Sequence, residues 1–75
     1  MSETIKSQPN VLRLSRLKHK TGISGSSIYN KLNPSSRYYD PTFPKPIRLG
    51  LASVGWIEHE IDDWLTQRAI LSRSV

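Results

Sequence analysis

The stretch TGISGSSIYNKL, residues 21 to 32, gathers groups that bind polyanions and nucleobases. Ser24, Ser26 and Ser27 carry hydroxyls that can bond phosphate oxygens, as can backbone N–H groups left free at a helix start. The Asn30 amide pairs a donor with an acceptor in the pattern that matches an adenine edge. Tyr29 and Lys31 flank it with an aromatic ring and a positive charge. This chemistry is recognition rather than bond making. The residues that catalysis would need are missing by contrast. His19 and His59 are the only histidines, far apart in sequence and in no nucleophile or metal spacing. Cysteine is absent, which leaves no thiolate zinc site and no disulfide. No glycine-rich phosphate loop follows a strand. An enzyme is therefore not expected, and neither is a cofactor or a metal.

Something must hold those side chains at a surface. Serine and glycine are poor helix formers, because serine competes for nearby backbone groups and glycine loses the most entropy. The run nevertheless ends as a helix, with Ile28 and Leu32 one turn apart. With the N-cap at Ser24, Ile23 precedes the cap and Ile28 is the fourth helical residue, the spacing of a hydrophobic staple. Turning Ile28 and Leu32 inward at about 100° per residue points Ser26 and Asn30 outward, with Ser27 and Tyr29 beside them. Upstream, VLRLSRLKHKTG opens with a short alternating run and then offers Ser15 as N-cap of a brief helix ending before Gly22, with Leu14 and Leu17 inward. Two short helices joined at Gly22 form a helix-turn-helix candidate. Small residues at the start of its second helix would let the backbone approach a groove closely.

Charge is distributed unevenly along the 75 residues, whose formal net charge is +5. Residues 1 to 37 hold Lys6, Arg13, Arg16, Lys18, Lys20, Lys31 and Arg37 against Glu3 alone, while Glu58, Glu60, Asp62 and Asp63 cluster near the other end. A basic half and an acidic half suggest a polyanion for the first and solvent or protein for the second. No apolar run reaches the roughly 20 residues that span a bilayer, so a soluble, cytoplasmic and nucleoid-associated protein is expected.

The remaining segments complete one small domain. Residues 1 to 10 are read as a disordered tail. Prolines at 34, 41, 44 and 46 exclude helix from NPSSRYYDPTFPKP. Phe43 is expected to pack on the core; Tyr38 and Tyr39 either pack or touch DNA sugars. IRLGLASVGWI reads as two strands, 47 to 49 and 54 to 57, joined by a turn beginning at Gly50. On a helix-turn-helix scaffold such a hairpin is a wing, with Lys45 and Arg48 available to phosphates. IEHEIDDWLTQRAI is amphipathic, with Ile57, Ile61, Trp64 and Leu65 on one arc and acids in the first turns, where they suit the helix dipole. This negative face would repel DNA, so the helix is read as support. Residues 70 to 75 are expected to fray. The domain proper is thus 11 to 69: mainly α with a small β-hairpin, a winged helix-turn-helix of three helices and a two-stranded wing.

The order RLSRLKHKTGISGSSIYNKL, FPKPIRLG, SVGWIEHEIDDWL resembles the AlpA family of small phage and prophage regulators, which are similar to phage excisionases and to the winged-helix part of MerR-type proteins. The resemblance runs from about Val11 to Arg68, carried by Tyr29, Phe43-Pro44-Lys45-Pro46, Leu49-Gly50 and Gly55-Trp56 before an acidic helix. It implies that helix 24–32 enters the major groove and that hairpin 47–57 is the wing, on the backbone or in the minor groove. Two departures stand out: NPSSRYYDPT lengthens the connection before FPKP, and the wing tip is Leu51-Ala52-Ser53, where a basic or more polar tip is frequent in the family.

These readings converge on a sequence-specific regulator that binds double-stranded DNA. Its candidate contacts are Arg13, Arg16, Ser24, Ser26, Ser27, Tyr29, Asn30, Lys31, Arg37, Lys45 and Arg48. An integrase or RNA polymerase is a possible further partner, as is cooperative self-association on DNA. Two other functions compete: an excisionase-type architectural factor that bends DNA for an integrase, and, more remotely, a protein-interaction module gripping an acidic partner.

Overall fold

The computed structural model describes residues 10–73. In chain order the elements are β1 (Val11–Leu12), α1 (Leu14–Thr21), α2 (Gly25–Leu32), β2 (Ile47–Arg48), β3 (Val54–Ile57) and α3 (Glu58–Arg73). This is a mainly helical winged-helix arrangement, as the sequence predicts.

The sheet is larger than a two-stranded wing. β3 lies between β1 and β2, antiparallel to both, with Val11 opposite Ile57, Leu12 opposite Trp56, Ile47 opposite Gly55 and Arg48 opposite Val54. The short alternating run at Val11 is thus a third strand, which covers the β3 edge that a lone hairpin would leave open. It also moves the start of α1. The chain leaves the sheet at Leu12, turns in one extended residue, and Arg13 becomes the N-cap without any side-chain bond. Ser15, expected to cap this helix, lies within its first turn and is exposed. The early start lets Leu14 and Leu17 follow Leu12 into the core.

One core serves all the elements. Leu12, Leu17, Ile28, Phe43, Trp56, Ile61 and Trp64 are buried together, with Leu14, Ile23, Leu32 and Leu65 packed around them. Alternation along β3 turns Trp56 inward and Gly55 to the outer sheet face. A Cβ on Gly55 would collide with Val11 Cγ1 and press on Leu49 Cδ1, so only glycine allows the neighbouring strands to close over this point.

β3 runs straight into α3 without a loop. The Glu58 N–H donates to Asn10 O (2.8 Å), and the Asn10 amide donates to Glu58 Oε1 (3.2 Å). Asn10 is therefore tied to the domain, although the sequence places it in the tail; the rest of that tail, residues 1 to 9, lies outside the described residues. At the other end α3 continues to Arg73, beyond the boundary of 69 read from the sequence; residues 74 and 75 lie outside the described residues. No helix among the described residues is long and apolar enough to cross a membrane.

Candidate nucleic-acid interface

The α1–α2 turn is fixed by local bonds. Gly22 adopts the left-handed conformation (φ 73°) that L side chains resist, and its N–H donates to Lys18 O at 2.8 Å. Thr21 Oγ1 donates to Leu17 O (2.8 Å) and accepts from the Ile23 N–H (3.2 Å), which tightens the exit from α1. Ser24 then caps α2 as the sequence predicts: its Oγ accepts from the Ser27 N–H (3.2 Å) and its hydroxyl donates to Ser27 Oγ (3.1 Å). Ser24 is thereby committed to the helix start. The Gly25 and Ser26 N–H groups have no partner among the described residues.

The face this creates is polar and holds no acid. Ile28 is fully buried and Leu32 is partly buried, which turns Ser26 and Ser27 into solvent. Tyr29 is half exposed (50%). Asn30 is partly sheltered, and its side-chain amide makes no hydrogen bond among the described residues. A sheltered amide without a partner has much to gain from a ligand that supplies both a donor and an acceptor. Gly25 brings α1 close: Leu14 Cδ2 and Lys18 Cδ each lie 3.9 Å from where its Cβ would be. Lys18 thus stands beside the start of α2. Lys18 is not among the contacts expected from the sequence, although Gly25, the first residue of α2, is the signal that the helices approach there.

The basic residues do not form one surface. Arg48 is opposite Val54, and Val54 shares its sheet face with Trp56, so Arg48 extends the helix-facing side of the wing. Arg13 is exposed at the N-cap of α1. Arg16 lies on the opposite flank of α1 from Leu14 and Lys18, in a shallow hollow with His19, Lys20 and Glu58. Lys20 is paired with Glu58 Oε2 (2.9 Å) and Asp62 Oδ1 (2.8 Å) of α3. Hydrogen bonds to Asp62 and then Glu58 raise the Lys20 pKa, and the bond from Lys20 followed by that from Asn10 lowers the Glu58 pKa.

Two further candidates are drawn toward α3. Lys31 is partly buried, with Nζ 5.6 Å from the Trp64 ring centroid; Arg68 approaches the same ring at 5.9 Å. Lys45 lines an open groove whose other wall includes Glu60, Asp63 and Trp64. Both were expected to contact DNA, Lys45 at phosphates, because sequence alone does not place the α3 carboxylates and indole opposite them. Arg37 is exposed, its guanidinium 5.6 Å over the Tyr38 ring. The two readings left open for the tyrosines separate here from that of Phe43, which is buried against Trp64 edge to face (4.9 Å, 83°) while Tyr38 and Tyr39 stay exposed.

The profile of the family described as Prophage CP4-57 regulatory protein (AlpA) matches residues 10–69. The chain belongs to the AlpA family. Among curated relatives, the DNA-binding transcriptional activator AlpA of Escherichia coli (strain K12) is 53% identical over 66 residues, 88% of this chain and 94% of that protein. No solved structure matches the chain. The AlpA-family match takes in β1, the paired helices, the whole wing and α3 as far as Ala69, so every candidate contact named above lies within it.

Proposed function

We propose that this chain is a sequence-specific DNA-binding transcriptional regulator of a prophage or related mobile element, with α2 in the major groove and the β2–β3 wing along the backbone or in the minor groove. The observation that carries the reading is the outward face of α2: two exposed hydroxyls, N–H groups and a sheltered amide without a partner among the described residues, and no acid among them. Ser26, Ser27 and Asn30 read base edges, helped by Tyr29 at the rim. Lys18, Arg13 and Arg48 neutralise phosphates on either side, while Ser24 supports the reading helix from within. Arg16, Lys31 and Lys45 contribute to the positive potential rather than to direct contacts, given the α3 groups beside them. The 53% identity to a protein named as a DNA-binding transcriptional activator supports this reading. DNA as the ligand implies residence in the cytoplasm with the chromosome, and an activator's role implies contact with RNA polymerase.

A second reading, an excision factor that bends DNA for an integrase, is favoured by one observation. Leu51 at the wing tip is 99% exposed, and apolar side chains at such positions can wedge between base steps in the minor groove. A single module of this size reads few base pairs, so either role calls for several copies on adjacent sites or for a partner.

Footprinting of the full chain on DNA flanking its own element, across a salt series, tests the reading. A bounded, salt-sensitive footprint is expected, with the same fragment keeping its mobility phase on circular permutation for a plain regulator and shifting it for a bending factor. Indifferent coating of all sequences would defeat site-specific regulation.

A further inference from the structure

The connection from α2 to the wing is long, yet side chains hold it in shape. Asn33 Oδ1 accepts from the Ser35 N–H (3.0 Å), Ser36 Oγ from the Tyr38 N–H (3.0 Å) and Asp40 Oδ1 from the Thr42 N–H (2.9 Å). Backbone bonds from Ser36 N–H to Asn33 O (2.9 Å) and from Tyr39 N–H to Ser36 O (3.1 Å) close the turns between them. Its far end is fastened twice. The Asp40 N–H donates to Lys31 O (2.9 Å) in the last turn of α2, and the Trp64 Nε1–H donates to Thr42 Oγ1 (3.2 Å). The apex is thereby fixed relative to the helix proposed to read DNA.

That apex presents chemistry that no other described residue uses. Tyr38 is 63% exposed, Arg37 is exposed with its guanidinium carbon 5.6 Å from the centroid of that ring, and Arg37 makes no ion pair among the described residues. Lys20, by contrast, is held by two carboxylates. A guanidinium braced against an aromatic ring keeps its fork of donors in a restricted orientation, which lowers the entropy lost when it meets a phosphate.

We propose that Arg37 and Tyr38 form a third DNA contact, a clamp on the sugar–phosphate backbone bordering the groove at the C-terminal end of α2. The Arg37 guanidinium bonds phosphate oxygens, and the Tyr38 ring packs against the adjoining sugar while bracing Arg37. The clamp rests on the DNA-binding reading and deepens it, adding a contact that neither helix-turn-helix nor wing supplies. Its tightening of binding is independent of base sequence.

The full chain and its Arg37→Ala, Tyr38→Ala, Tyr38→Phe and doubly substituted Arg37→Ala/Tyr38→Ala forms are titrated against a fragment that the unsubstituted protein protects, and against random DNA. Loss of one phosphate contact makes the salt dependence shallower by about 0.9 and weakens binding about fivefold at roughly 0.15 M salt, on both DNAs. Backbone protection disappears at one edge of the footprint while the centre stays protected. Tyr38→Phe, which keeps the ring, loses less than Tyr38→Ala, and the double variant loses less than the product of the single losses because the two side chains act as a unit. Thermal midpoints stay at the unsubstituted value, since both side chains are exposed; a lowered midpoint for Tyr38→Ala would make the ring structural and overturn the proposal. It is also overturned if the double variant keeps the original salt dependence and footprint edge, as a loop serving a protein partner would. That failure leaves the α2 reading intact when Asn30→Ala still blunts site discrimination. If the unsubstituted chain protects no fragment, the DNA-binding reading falls and the clamp with it.

Discussion

The outer faces of α2 and α3 are both polar and both rest on the same core, through Ile28 in one and through Ile61 and Trp64 in the other. What lies beside each face separates them. α3 opens with Glu58 and Glu60 in its first turn, holds Lys20 with Glu58 and Asp62, and keeps Trp64 under Lys31 and Arg68. α2 has no acid in its first turn, and its outward groups face solvent. The basic half of the sequence is therefore not a uniform cationic surface. Several of its charges are answered within the molecule, and the surface left to the proposed DNA contact is the α2 face, Lys18, Arg37 and the Arg48 side of the wing.

The sharpest way to test whether the two faces share one support is to hollow it out. Ile28→Ala is expected to cost about 2–5 kcal/mol, since a fully buried side chain leaves a cavity as well as losing its transfer energy. Against a stability of only about 5 kcal/mol in so small a domain, that abolishes cooperative unfolding at room temperature in calorimetry. A variant that melts normally would mean that α2 is held from elsewhere. Next in size, Asn30→Ala is expected to reduce discrimination between the proper site and random DNA by about 1–3 kcal/mol, with little loss of general affinity. Equal losses on both DNAs would remove α2 from base reading.

A smaller effect separates the faces by pH. Desolvation alone would raise the Asp40 pKa, but the Thr42 hydroxyl and N–H, the Trp64 indole and the Lys31 charge together outweigh it and lower the pKa below its ordinary 3.8. The stability that Asp40 contributes is therefore complete above that value and is lost as pH falls through the lower folded value. Asp40→Asn keeps an acceptor for Thr42 but cannot titrate. Thermal melts at about pH 6 and about pH 3 should show the variant losing less stability between the two than the unsubstituted protein does. Identical losses would mean that Asp40 does not anchor the loop between α2 and α3. The smallest effect compares an arginine and a lysine directly. Arg48→Ala is expected to flatten the salt dependence of DNA binding by about 0.9, one phosphate's worth, whereas Lys45→Ala leaves it nearly unchanged. Equal slopes for the two variants would erase the distinction drawn between the wing face and the α3 groove.

Much of the scaffold was legible because it depends on near neighbours. The cap at Ser24, the turn at Gly22, the clamp of Ile23 and Ile28 and the hairpin around Gly50 are all set within a few residues. The expected cap at Ser15 went wrong for the opposite reason: β1 pairs with β3 some 45 residues away and pulls the start of α1 forward. The same distance hid the fates of Arg16, Lys31 and Lys45, whose charges cannot be assigned until α3 is in place.

Sequence by itself determined the helix-turn-helix, its serine-led outer face and the imbalance of charge between the two halves, because capping, turn chemistry and amphipathic period act over short stretches of chain. Tertiary structure alone decided which cations remain available, that a third strand closes the sheet, and that the loop after α2 holds Arg37 and Tyr38 in solvent. Those outcomes follow from electrostatic and hydrogen-bonding partners brought together across the fold, and the energy of such pairs depends on distances that no linear order of residues contains.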